Sequence, residues 1–596
     1  MRHAEVVCRL RRSSILTTLM VYLSFAAQQS VPTAPTVTNI HAIQHDGQTF
    51  ITWTDAASGT AGANYRYDLY RSTSGPITDL SRATKVEQGI YNDSGQLIGP
   101  KPYSQVTRQN AALRISIVQD GGKPLPAWSG MAVYTNRAAE SAFYAVITRD
   151  ITGAQMPSIV STSNSLQQAV AESPAEIRPV LQMPSSDSAR NPNCCSISGT
   201  PNLPLWVRLH GSGGTAAALG DLQAYWGDSS MGHQDGIQSM FAVYEDHYGS
   251  AFAPGGTRQL ILAPQDAVWS VDGNSGSETF WYGFRDIPEF STDRKPHIYP
   301  YTKTKLSFIV PWAIQHYKAD ANRIYGISES MGAYGHIQWS LRQPNLFAAI
   351  FMRIPILGAW RRIPSLIDVT PNGIPRTVLT TNDTLPDGKT LYNDDTDVST
   401  WISRDCSRNL PYLSWSSGRR DAGLANHRMW SYAVEMARTL SACHYGFSFI
   451  WNNGVHDGIT GSLERTLLEQ YQKVFASNLS YPAFTNASFD GNYGSGDPKD
   501  GDLSGCVNCG WQWKVTDDTA NSWSVSLTNN QVAQRATTDV TPRNTQRFKL
   551  IPGASVKWST SSGQEGKTVA DSWGVVTVTG IQLVTSAPTV LKIEKF

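Results

Sequence analysis

The sequence predicts an α/β fold for the middle of the chain, with a β domain on each side of it. Between residues 201 and 482, short apolar runs alternate with segments that can form helices, as in a parallel sheet with crossover helices. On both sides of this region the helix signals disappear, and stretches with strand character follow one another. A chain of 596 residues is also too long for one hydrophobic core, so several domains are expected.

The composition excludes some classes of function. The formal net charge is +1 and no long basic run occurs, so nothing favours a nucleic-acid partner. The chain is rich in aromatic residues, with 18 Trp and 24 Tyr. Such residues suit a protein that handles sugars or aromatic acyl groups, although most tryptophans simply fill cores.

Residues 1–27 have the features of an export signal. Arg9, Arg11 and Arg12 precede an apolar run at 15–23, and small residues that suit cleavage follow at 24–27. The run is too short for a good membrane span, although an N-terminal anchor or an ordinary helix is the alternative. We therefore expect a secreted protein, extracellular or periplasmic, with no membrane contact after cleavage.

Six cysteines remain after the predicted signal, and an even number in an exported chain favours disulfides. The preferred pairs are Cys406 with Cys443, and Cys506 with Cys509. The last two could instead form half of a zinc site, but no second Cys/His pair lies nearby, so no metal is expected. The two other cysteines are Cys194 and Cys195.

The N-terminal β domain is predicted at residues 33–150, after the linker at 30–38. Its strands include a Trp-bearing run at 48–53, a Tyr-rich run at 65–70 and a late run at 142–147. This order resembles a fibronectin type III sandwich, which implies a spacer or docking module. Residues 151–200, rich in Ser, Pro and Asn in places, are predicted as a linker that could include a strand.

The central domain and the C-terminal domain differ in their periodicity. In the centre, predicted strands include residues 205–209, 260–263, 347–354, 412–415 and 447–451, and predicted helices cover 306–316 and 429–440. From about residue 486 the helix signal is lost. Strands at 511–515, 523–527 and 575–578 predict a C-terminal β-sandwich over residues 486–596.

Ser330 lies where a predicted strand at 324–327 leads into a helix-forming segment at 333–341. Small residues stand two positions before and after it, Ser328 and Gly332. This is the layout of a nucleophile elbow, a strained strand-to-helix turn that exposes a serine hydroxyl. The usual pattern has glycine where Ser328 stands, and an ordinary Ser/Gly-rich loop is the alternative.

A nucleophilic serine needs a base and an acid that orients the base. His456, with Gly454 and Gly458 on either side, follows the last predicted strand of the central domain. Asp421 follows the strand at 412–415, which gives the chain order Ser, Asp, His. Asp383 is a rival acid, and Asp421 is preferred because strand, acid, helix, strand and histidine follow one another closely.

A developing oxyanion needs backbone N–H donors, and two are predicted. One belongs to Met331, the residue after the nucleophile, and the other to Ser212 in the glycine-rich loop at 210–214. A phosphate cradle is the alternative for this loop. It lacks the Lys-Ser/Thr of a P-loop, so nucleotide binding is poorly supported.

These motifs together resemble the secreted esterases of the α/β-hydrolase superfamily. The resemblance rests on residues 210–214, 328–335, Pro344 and 347–350, and it covers about residues 200–480. The nearest members are feruloyl esterases, acetyl xylan esterases and relatives of polyhydroxybutyrate depolymerases. The resemblance implies an α/β-hydrolase domain without a cofactor that cleaves esters through an acyl-enzyme. Serine peptidases of the prolyl-oligopeptidase type share this elbow and chain order and remain the alternative.

The substrate wall is expected between the oxyanion loop and the elbow, where Trp226, Trp281 and Tyr282 lie. These side chains could stack on a polysaccharide or polyester substrate, or only pack inside the protein. Two Asp-rich stretches, 393–397 and 497–502, could bind calcium, but solvated turns are preferred because neither matches an EF-hand loop. The motifs leave the acyl group and the oligomeric state open.

Overall fold

The computed structural model describes most of the chain beyond residue 30. The described residues are 31–45, 48–62, 64–92, 94, 96–98, 114–116, 125–135, 138–173, 181–182, 199–211, 221–226, 238–246, 258–264, 266, 268–269, 276–277, 281–282, 284–285, 298–299, 301–355, 357, 365–369, 375–380, 384–385, 387–421, 429–456, 473–530, 535–583 and 587–596. The predicted export signal, Cys194, Cys195, Ser212 and Asp383 lie outside them. None of the helices in these ranges is both long and apolar enough to cross a membrane.

The N-terminal region is built from strands, with one helical turn (α1, Gly59–Gly62) and one 3-10 turn (Leu80–Arg82). The strands are β1 (Thr38–His45), β2 (Gln48–Thr54), β3 (Tyr65–Ser72), β4 (Thr84–Tyr91), β5 (Gln96–Ile98), β6 (Arg114–Ser116), β7 (Ser129–Thr135), β8 (Glu140–Asp150), β9 (Val170–Glu172) and β10 (Leu181–Gln182). One sheet has the order β1-β2-β7 and a second has the order β4-β3-β8-β9.

Both of these sheets contribute to one hydrophobic cluster. Trp53 of β2 packs edge-on against Tyr67 of β3, with ring centroids 5.5 Å apart, and Tyr144 of β8 belongs to the same cluster. The sequence predicted these three strands, although their burial does not strictly alternate, since Tyr67, Asp68 and Leu69 of β3 are buried in succession. β9 extends the second sheet into the predicted linker. The fibronectin type III assignment stays a prediction.

The central region contains alternating strands and helices. Its elements are β11 (Leu205–Leu209), β12 (Asp221–Trp226), β13 (Gln238–Asp246), β14 (Gln259–Pro264), β15 (Val268–Trp269), β16 (Gly276–Ser277), β17 (Phe284–Arg285), β18 (Ile298–Tyr299), α2 (Tyr301–His316), β19 (Ile324–Glu329), α3 (Met331–Ser340), β20 (Ala349–Arg353), β21 (Ser365–Val369), β22 (Pro375–Thr380), α4 (Tyr392–Asp395), α5 (Val398–Ser403), β23 (Tyr412–Gly418), α6 (Met429–Ala442) and β24 (Phe447–Asn452).

The C-terminal region is built from β25 (Tyr481–Thr485), β26 (Gly505–Val507), β27 (Trp511–Asp518), β28 (Ser522–Asn529), β29 (Ala536–Arg543), β30 (Ser555–Thr560), β31 (Glu565–Val569), β32 (Val578–Leu583) and β33 (Thr589–Lys595). Two sheets, β25-β29-β32 and β27-β28-β33-β30-β31, contribute to one hydrophobic cluster. The strand predicted at 575–578 begins only at Val578, because Asp571 organises residues 571–575 as a turn.

A ten-stranded mixed sheet organises the central region, in the order β10-β12-β13-β14-β11-β19-β20-β23-β24-β26. The six strands from β14 to β24 are parallel, and the strands outside them are antiparallel. The predicted parallel sheet is therefore present. The pair β12 and β13 was not predicted, and it places the backbone of Trp226 in a strand rather than in a loop.

The parallel strands are buried on both faces, which is why they read as nearly continuous apolar runs. Val207 of β11 belongs to the cluster that includes residues of α2, α3 and α6. Its neighbour Trp206 points the other way and packs on Tyr325, with ring centroids 4.9 Å apart. The cluster on that second face also includes Phe475 and Tyr481, beyond the last parallel strand.

Both preferred cysteine pairs are disulfide-bonded in the structure, Cys406 with Cys443 and Cys506 with Cys509. The first ties the segment before β23 to the end of α6. The second joins Cys506 of β26 to Cys509 just after it, at the edge of the central sheet. Because their sulfurs are joined to each other, Cys506 and Cys509 do not form half of a zinc site.

Candidate active site

The segment around Ser330 forms a sharp turn between β19 and α3. Ser330 has φ 48° and ψ −117°, in the left-handed half of backbone space that non-glycine residues rarely adopt. Its N–H donates to the carbonyl oxygen of Arg353, 2.9 Å away. A Cβ on Gly332 would lie 2.2 Å from the carbonyl oxygen of Leu209, so only glycine fits there. This is the geometry of a nucleophile elbow.

Ser328 occupies the position where the elbow usually has glycine. The residue is buried, and its hydroxyl has no hydrogen-bond partner among the described residues. The pocket therefore has room for the extra CH₂OH group but offers it no polar contact. Serine is tolerated here for its size alone, and the departure from the usual pattern leaves the turn intact.

Ser330, His456 and Asp421 form a continuous chain of hydrogen bonds. The Nε2 atom of His456 lies 2.8 Å from the Oγ of Ser330, and its Nδ1 atom lies 2.7 Å from Oδ2 of Asp421. The Asp421 side chain is 2% exposed, whereas that of His456 is 33% exposed. A carboxylate facing Nδ1 selects the tautomer with its proton there, so Nε2 is free to accept the serine proton.

The sheet, the elbow and this order of side chains belong to one region with an α/β fold. Ser330, Asp421 and His456 all lie just beyond the C-terminal ends of parallel strands, β19, β23 and β24, where such sheets assemble their sites. The rival acid Asp383 falls outside the described residues.

The loops that hold Asp421 and His456 are tied to each other by their backbones. The N–H groups of Arg419 and Arg420 donate to the carbonyl oxygens of Asn452 and Gly454, each at 2.9 Å. A Cβ on Gly418 would lie 2.5 Å from the carbonyl oxygen of Val455. The acid and the base are thus held by two adjoining loops that pack without space for a side chain between them.

A buried arginine next to the acid connects its loop to a distant glycine- and Asp-rich segment. The guanidinium of Arg419 donates to the carbonyl oxygen of Pro498 at 2.8 Å and to that of Gly501 at 3.4 Å, and it also contacts that of Asp500. Calcium also binds carbonyl oxygens, but these three oxygens already accept hydrogen bonds from the guanidinium of Arg419. This contact could not be predicted from the sequence, because the partners are about 80 positions apart.

The carboxylates of the same segment also have partners. Those of Asp500 and Asp502 accept from the backbone N–H groups of Ser495, at 2.9 Å, and Asn492, at 2.7 Å. In the other Asp-rich stretch, Asp397 accepts from the N–H of Thr400 at 3.2 Å at the start of α5. These contacts favour structured turns over calcium sites.

The two predicted oxyanion donors are placed differently by the structure. Met331 is the first residue of α3, so its N–H is one of the helix-start donors without an intrahelical acceptor. Ser212 lies outside the described residues. Its neighbour Gly211 is described, and a Cβ on it would lie 3.6 Å from the Cβ of Ser330. The start of the glycine-rich loop therefore passes beside the nucleophile.

A hydrogen-bond network fixes the start of that loop. The N–H of Asp266 donates to Nε2 of buried His210 at 3.0 Å, and Nδ1 of the same ring lies 2.8 Å from the carbonyl oxygen of Gly211. The indole N–H of Trp281 donates to the carbonyl oxygen of His210 at 3.1 Å. Sequence reasoning missed Asp266, since nothing local distinguishes it from other loop carboxylates.

The predicted substrate residues Trp281 and Tyr282 are both buried, at 1% and 0% exposure. The hydroxyl of Tyr282 donates to Oδ2 of Asp395 at 2.6 Å, and Arg342 pairs with the same oxygen. Burial raises the pKa of Tyr282 well above its ordinary value, so the phenol keeps its proton. Their contacts favour the packing alternative. The side chain of Trp226 lies outside the described parts of the chain.

Comparison with known proteins finds only solved structures of low similarity. No protein-family model matches the chain, and neither does any curated protein. Among solved structures, a ferulic acid esterase is 12% identical, with a TM-score of 0.25, over 49% of this chain and 90% of that one. An S-formylglutathione hydrolase from Agrobacterium tumefaciens is 11% identical, with a TM-score of 0.27, over 57% and 93%.

A peptidase is also among the similar structures. Dipeptidyl peptidase 4 of Porphyromonas gingivalis is 11% identical, with a TM-score of 0.28, over 73% of this chain and 49% of that one. Esterases and a peptidase thus share this likeness. At such TM-scores it carries no weight for substrate choice, and the function has to be argued from the site itself.

Proposed function

We propose that this protein is an exported serine ester hydrolase that works through an acyl-enzyme on acylated polysaccharide, such as feruloyl or acetyl esters, or on a polyester. The hydrogen-bonded chain from Ser330 through His456 to Asp421, at 2.8 and 2.7 Å, carries this proposal. A serine hydroxyl is a weak nucleophile at neutral pH, and this arrangement is what activates one.

The geometry supports a two-step reaction. Ser330 attacks the ester carbonyl while Nε2 of His456 takes the hydroxyl proton, and buried Asp421 stabilises the resulting imidazolium. The N–H of Met331, together with the loop that contains Ser212, would hold the oxyanion. Collapse of the tetrahedral intermediate releases the alcohol, which takes the proton from His456. Water then repeats the sequence on the acyl-enzyme and releases the acid and free Ser330.

The sequence supplies the arguments for an ester substrate outside the cell. The export signal at residues 1–27 and the resemblance to secreted esterases favour a polymeric extracellular substrate over a metabolite. The same triad also serves peptidases of the prolyl-oligopeptidase type. A panel of esters and amides therefore belongs in the same experiment.

The decisive test is labelling with a fluorophosphonate probe, read alongside turnover of p-nitrophenyl acetate. Wild type should be labelled and active, and Ser330→Ala should lose both while staying folded. Ser328→Ala is the matched control, because Ser328 is a buried serine two positions away whose hydroxyl lacks a partner in the described structure. Absence of labelling in folded wild type would contradict the proposal. Turnover of peptide p-nitroanilides at a rate comparable to that of esters would favour a peptidase.

A further inference from the structure

A polar cleft lies between the C-terminal region and the segment before β23, away from the candidate active site. Its volume is about 190 Å³, and it is lined by Ser407, Asn409, Pro542, Arg543, Asn544, Thr545, Phe548, Lys549, Leu550, Trp573, Gly574, Val575 and Val576. That volume is below the roughly 300–1,000 Å³ of sites for drug-sized molecules, so it suits a single ring.

An exposed tryptophan on a fixed backbone turn lines this cleft. Trp573 is 42% exposed, a large fraction for this residue type, and its indole N–H has no partner among the described residues. The carboxylate of Asp571 accepts from the backbone N–H groups of Trp573, at 2.8 Å, and Val575, at 2.9 Å. Gly574, with φ 75°, completes the turn, and a Cβ there would lie 2.6 Å from the carbonyl oxygen of Leu550. The backbone that presents the indole is therefore fixed in advance.

Polar groups that line the same cleft as Trp573 are available to a ligand. Neither the side-chain amide of Asn409 nor the hydroxyl of Thr545 has a hydrogen-bond partner in the part of the chain that the structure describes. Arg543 forms a stiff floor, since its guanidinium donates to the carbonyl oxygens of Cys406, at 2.9 Å, and Arg408, at 2.6 Å. Amides and hydroxyls with spare donors and acceptors match the hydroxyl groups of a sugar.

We propose that this cleft is a saccharide-binding site in which a sugar ring stacks on Trp573 and hydrogen-bonds to Asn409 and Thr545. Such a ring has an apolar face for the indole and equatorial hydroxyls for the polar groups. The lining contains Arg543 and Lys549 but no Asp or Glu, so a sugar unit that carries a carboxylate is accepted as well.

The position of the cleft makes it an anchor rather than a part of the active site. Residues 407–409 precede β23, whose far end leads to Asp421, and a seven-residue strand spans about 23 Å. One chain of a polysaccharide bound in the cleft would raise the local concentration of its other units near Ser330. The inference does not depend on the reaction proposed for Ser330.

The test is affinity electrophoresis of the full-length protein in gels that contain soluble arabinoxylan or glucuronoxylan, with Ser330→Ala as the catalytically silent background. We expect the polysaccharide to slow the migration of Ser330→Ala. Adding Trp573→Ala should raise the dissociation constant at least about tenfold, as for loss of an aromatic residue that the ligand covers. Phe596→Ala is the matched control, because Phe596 is 67% exposed in the same region but does not line the cleft.

Two outcomes would overturn the proposal. Either the parent protein binds neither polysaccharide, or Trp573→Ala binds as tightly as its parent or loses no more affinity than Phe596→Ala. Thermal melting of each variant checks that the fold is kept. In the active chain, turnover of p-nitrophenyl acetate should be unchanged by Trp573→Ala, since the cleft is far from Ser330. Failure of the cleft and failure of the ester hydrolase proposal are therefore distinguishable.

Discussion

The guanidinium of Arg419 donates to the carbonyl oxygen of Pro498 at 2.8 Å, across 79 positions of sequence. Arg419 is also two residues before Asp421, and its own N–H donates to the carbonyl oxygen of Asn452 on the histidine side. One buried side chain therefore links the acid loop, the end of β24 and a segment from beyond the central domain. We expect the geometry of the Asp421–His456 contact to depend on this link.

Replacing Arg419 with Met should lower kcat for p-nitrophenyl acetate by about tenfold to a hundredfold with little change in KM, because the acid loses its support but the substrate contacts remain. The free energy of unfolding should fall by about 3 kcal/mol, since hydrogen bonds from a charged group contribute roughly 1.5–3 kcal/mol each.

The matched control for that change is Arg438→Met. Arg438 donates to the carbonyl oxygens of Gly494, at 2.8 Å, and Ser495, at 3.1 Å, so it holds the same segment from a side that does not touch the acid loop. Its kcat should stay within about twofold of wild type, since the exposed contacts of this arginine are weak. Equal losses of kcat in both variants would show that the segment as a whole, rather than Arg419, supports the acid.

The elbow allows a paired prediction at Gly332 and Ser328. Gly332→Ala should abolish ester turnover and lower stability by more than about 3 kcal/mol, because its Cβ meets the backbone of Leu209 at 2.2 Å. Ser328→Gly should keep turnover near wild type. Losing an unpaired buried hydroxyl is favourable by about 1–3 kcal/mol, and added backbone freedom costs about 0.5–1 kcal/mol. A strong loss in Ser328→Gly would contradict this account of the turn.

Trp281 distinguishes support of the oxyanion loop from substrate binding. Trp281→Phe keeps an aromatic ring but removes the N–H that donates to the carbonyl oxygen of His210 at 3.1 Å. We expect kcat to fall about tenfold with KM nearly constant, as for weaker transition-state stabilisation. Tyr282→Phe, which removes the hydrogen bond to Asp395, should leave kcat unchanged. A raised KM at constant kcat in Trp281→Phe would favour the substrate role instead.

His336 makes stability depend on pH. It is fully buried in α3, both ring nitrogens lack partners among the described residues, and burial lowers its pKa to about 3. In the unfolded chain His336 binds a proton near pH 6.5, whereas in the folded chain it stays neutral down to about pH 3. Stability therefore falls as the pH drops from about 6.5 towards 3, by about 1.4 kcal/mol per unit.

The His336→Leu variant tests this slope, since leucine fills a similar volume without titrating. Urea unfolding of wild type and variant should give free energies that diverge in favour of the variant as the pH falls from 6.5 to 4.5. Ser340→Ala, on the same helix, should follow the wild-type slope. If wild type and His336→Leu have parallel curves, the histidine is not the group responsible.

Asp490 acts in the opposite direction. Burial raises its pKa to about 7, against the lowering effect of the N–H of Asn508, which donates to its carboxylate at 2.8 Å. The folded chain keeps a proton that the unfolded chain has already released. Stability is therefore lost as the pH rises from about 3.8 to about 7 and stays level above that.

Asp490→Asn should remove that loss and raise the free energy of unfolding at pH 8 by up to about 4 kcal/mol, less any solvent screening of this partly buried group. The amide oxygen still accepts from the N–H of Asn508. Asp497→Asn, at an exposed carboxylate of the neighbouring segment, serves as control and should change little. A variant less stable than wild type at pH 8 would contradict the prediction.

The residues of the candidate triad were predictable because their signals are local. Ser330 is set between a strand and a helix with small neighbours, and Asp421 and His456 each follow an apolar strand. Asp266 and Arg419 carry no such signal, because their importance arises from backbone groups that only the fold brings near. The sequence positions of Trp281 and Tyr282 suit a substrate wall and a packed core equally well. Their burial in the structure favours the packed core.

In the overall fold too, the elements with a local sequence signal were predicted and the others were not. The apolar runs of β11, β19 and β24 mark a buried parallel sheet wherever they occur. The strands β12 and β13 lie between β10 and β14 in the sheet order, and β26 forms one edge of the sheet. The sequences of β12 and β26 mix polar and apolar residues and lack the continuous apolar run of the central strands. The place of all three in the sheet comes from pairing with β14 and β24 rather than from a local pattern, so the sequence did not predict them.

The strand β26 couples the C-terminal region to the central sheet. It pairs with β24 through Phe449 and Val507, so residues from beyond the predicted end of the catalytic domain complete its sheet. A gene fragment that ended before β26 would leave β24 as a bare hydrophobic edge, open to pairing with other chains. The C-terminal region is therefore not an interchangeable module. Removal of the residues from β26 onward is therefore expected to destabilise the central sheet and to favour association between chains.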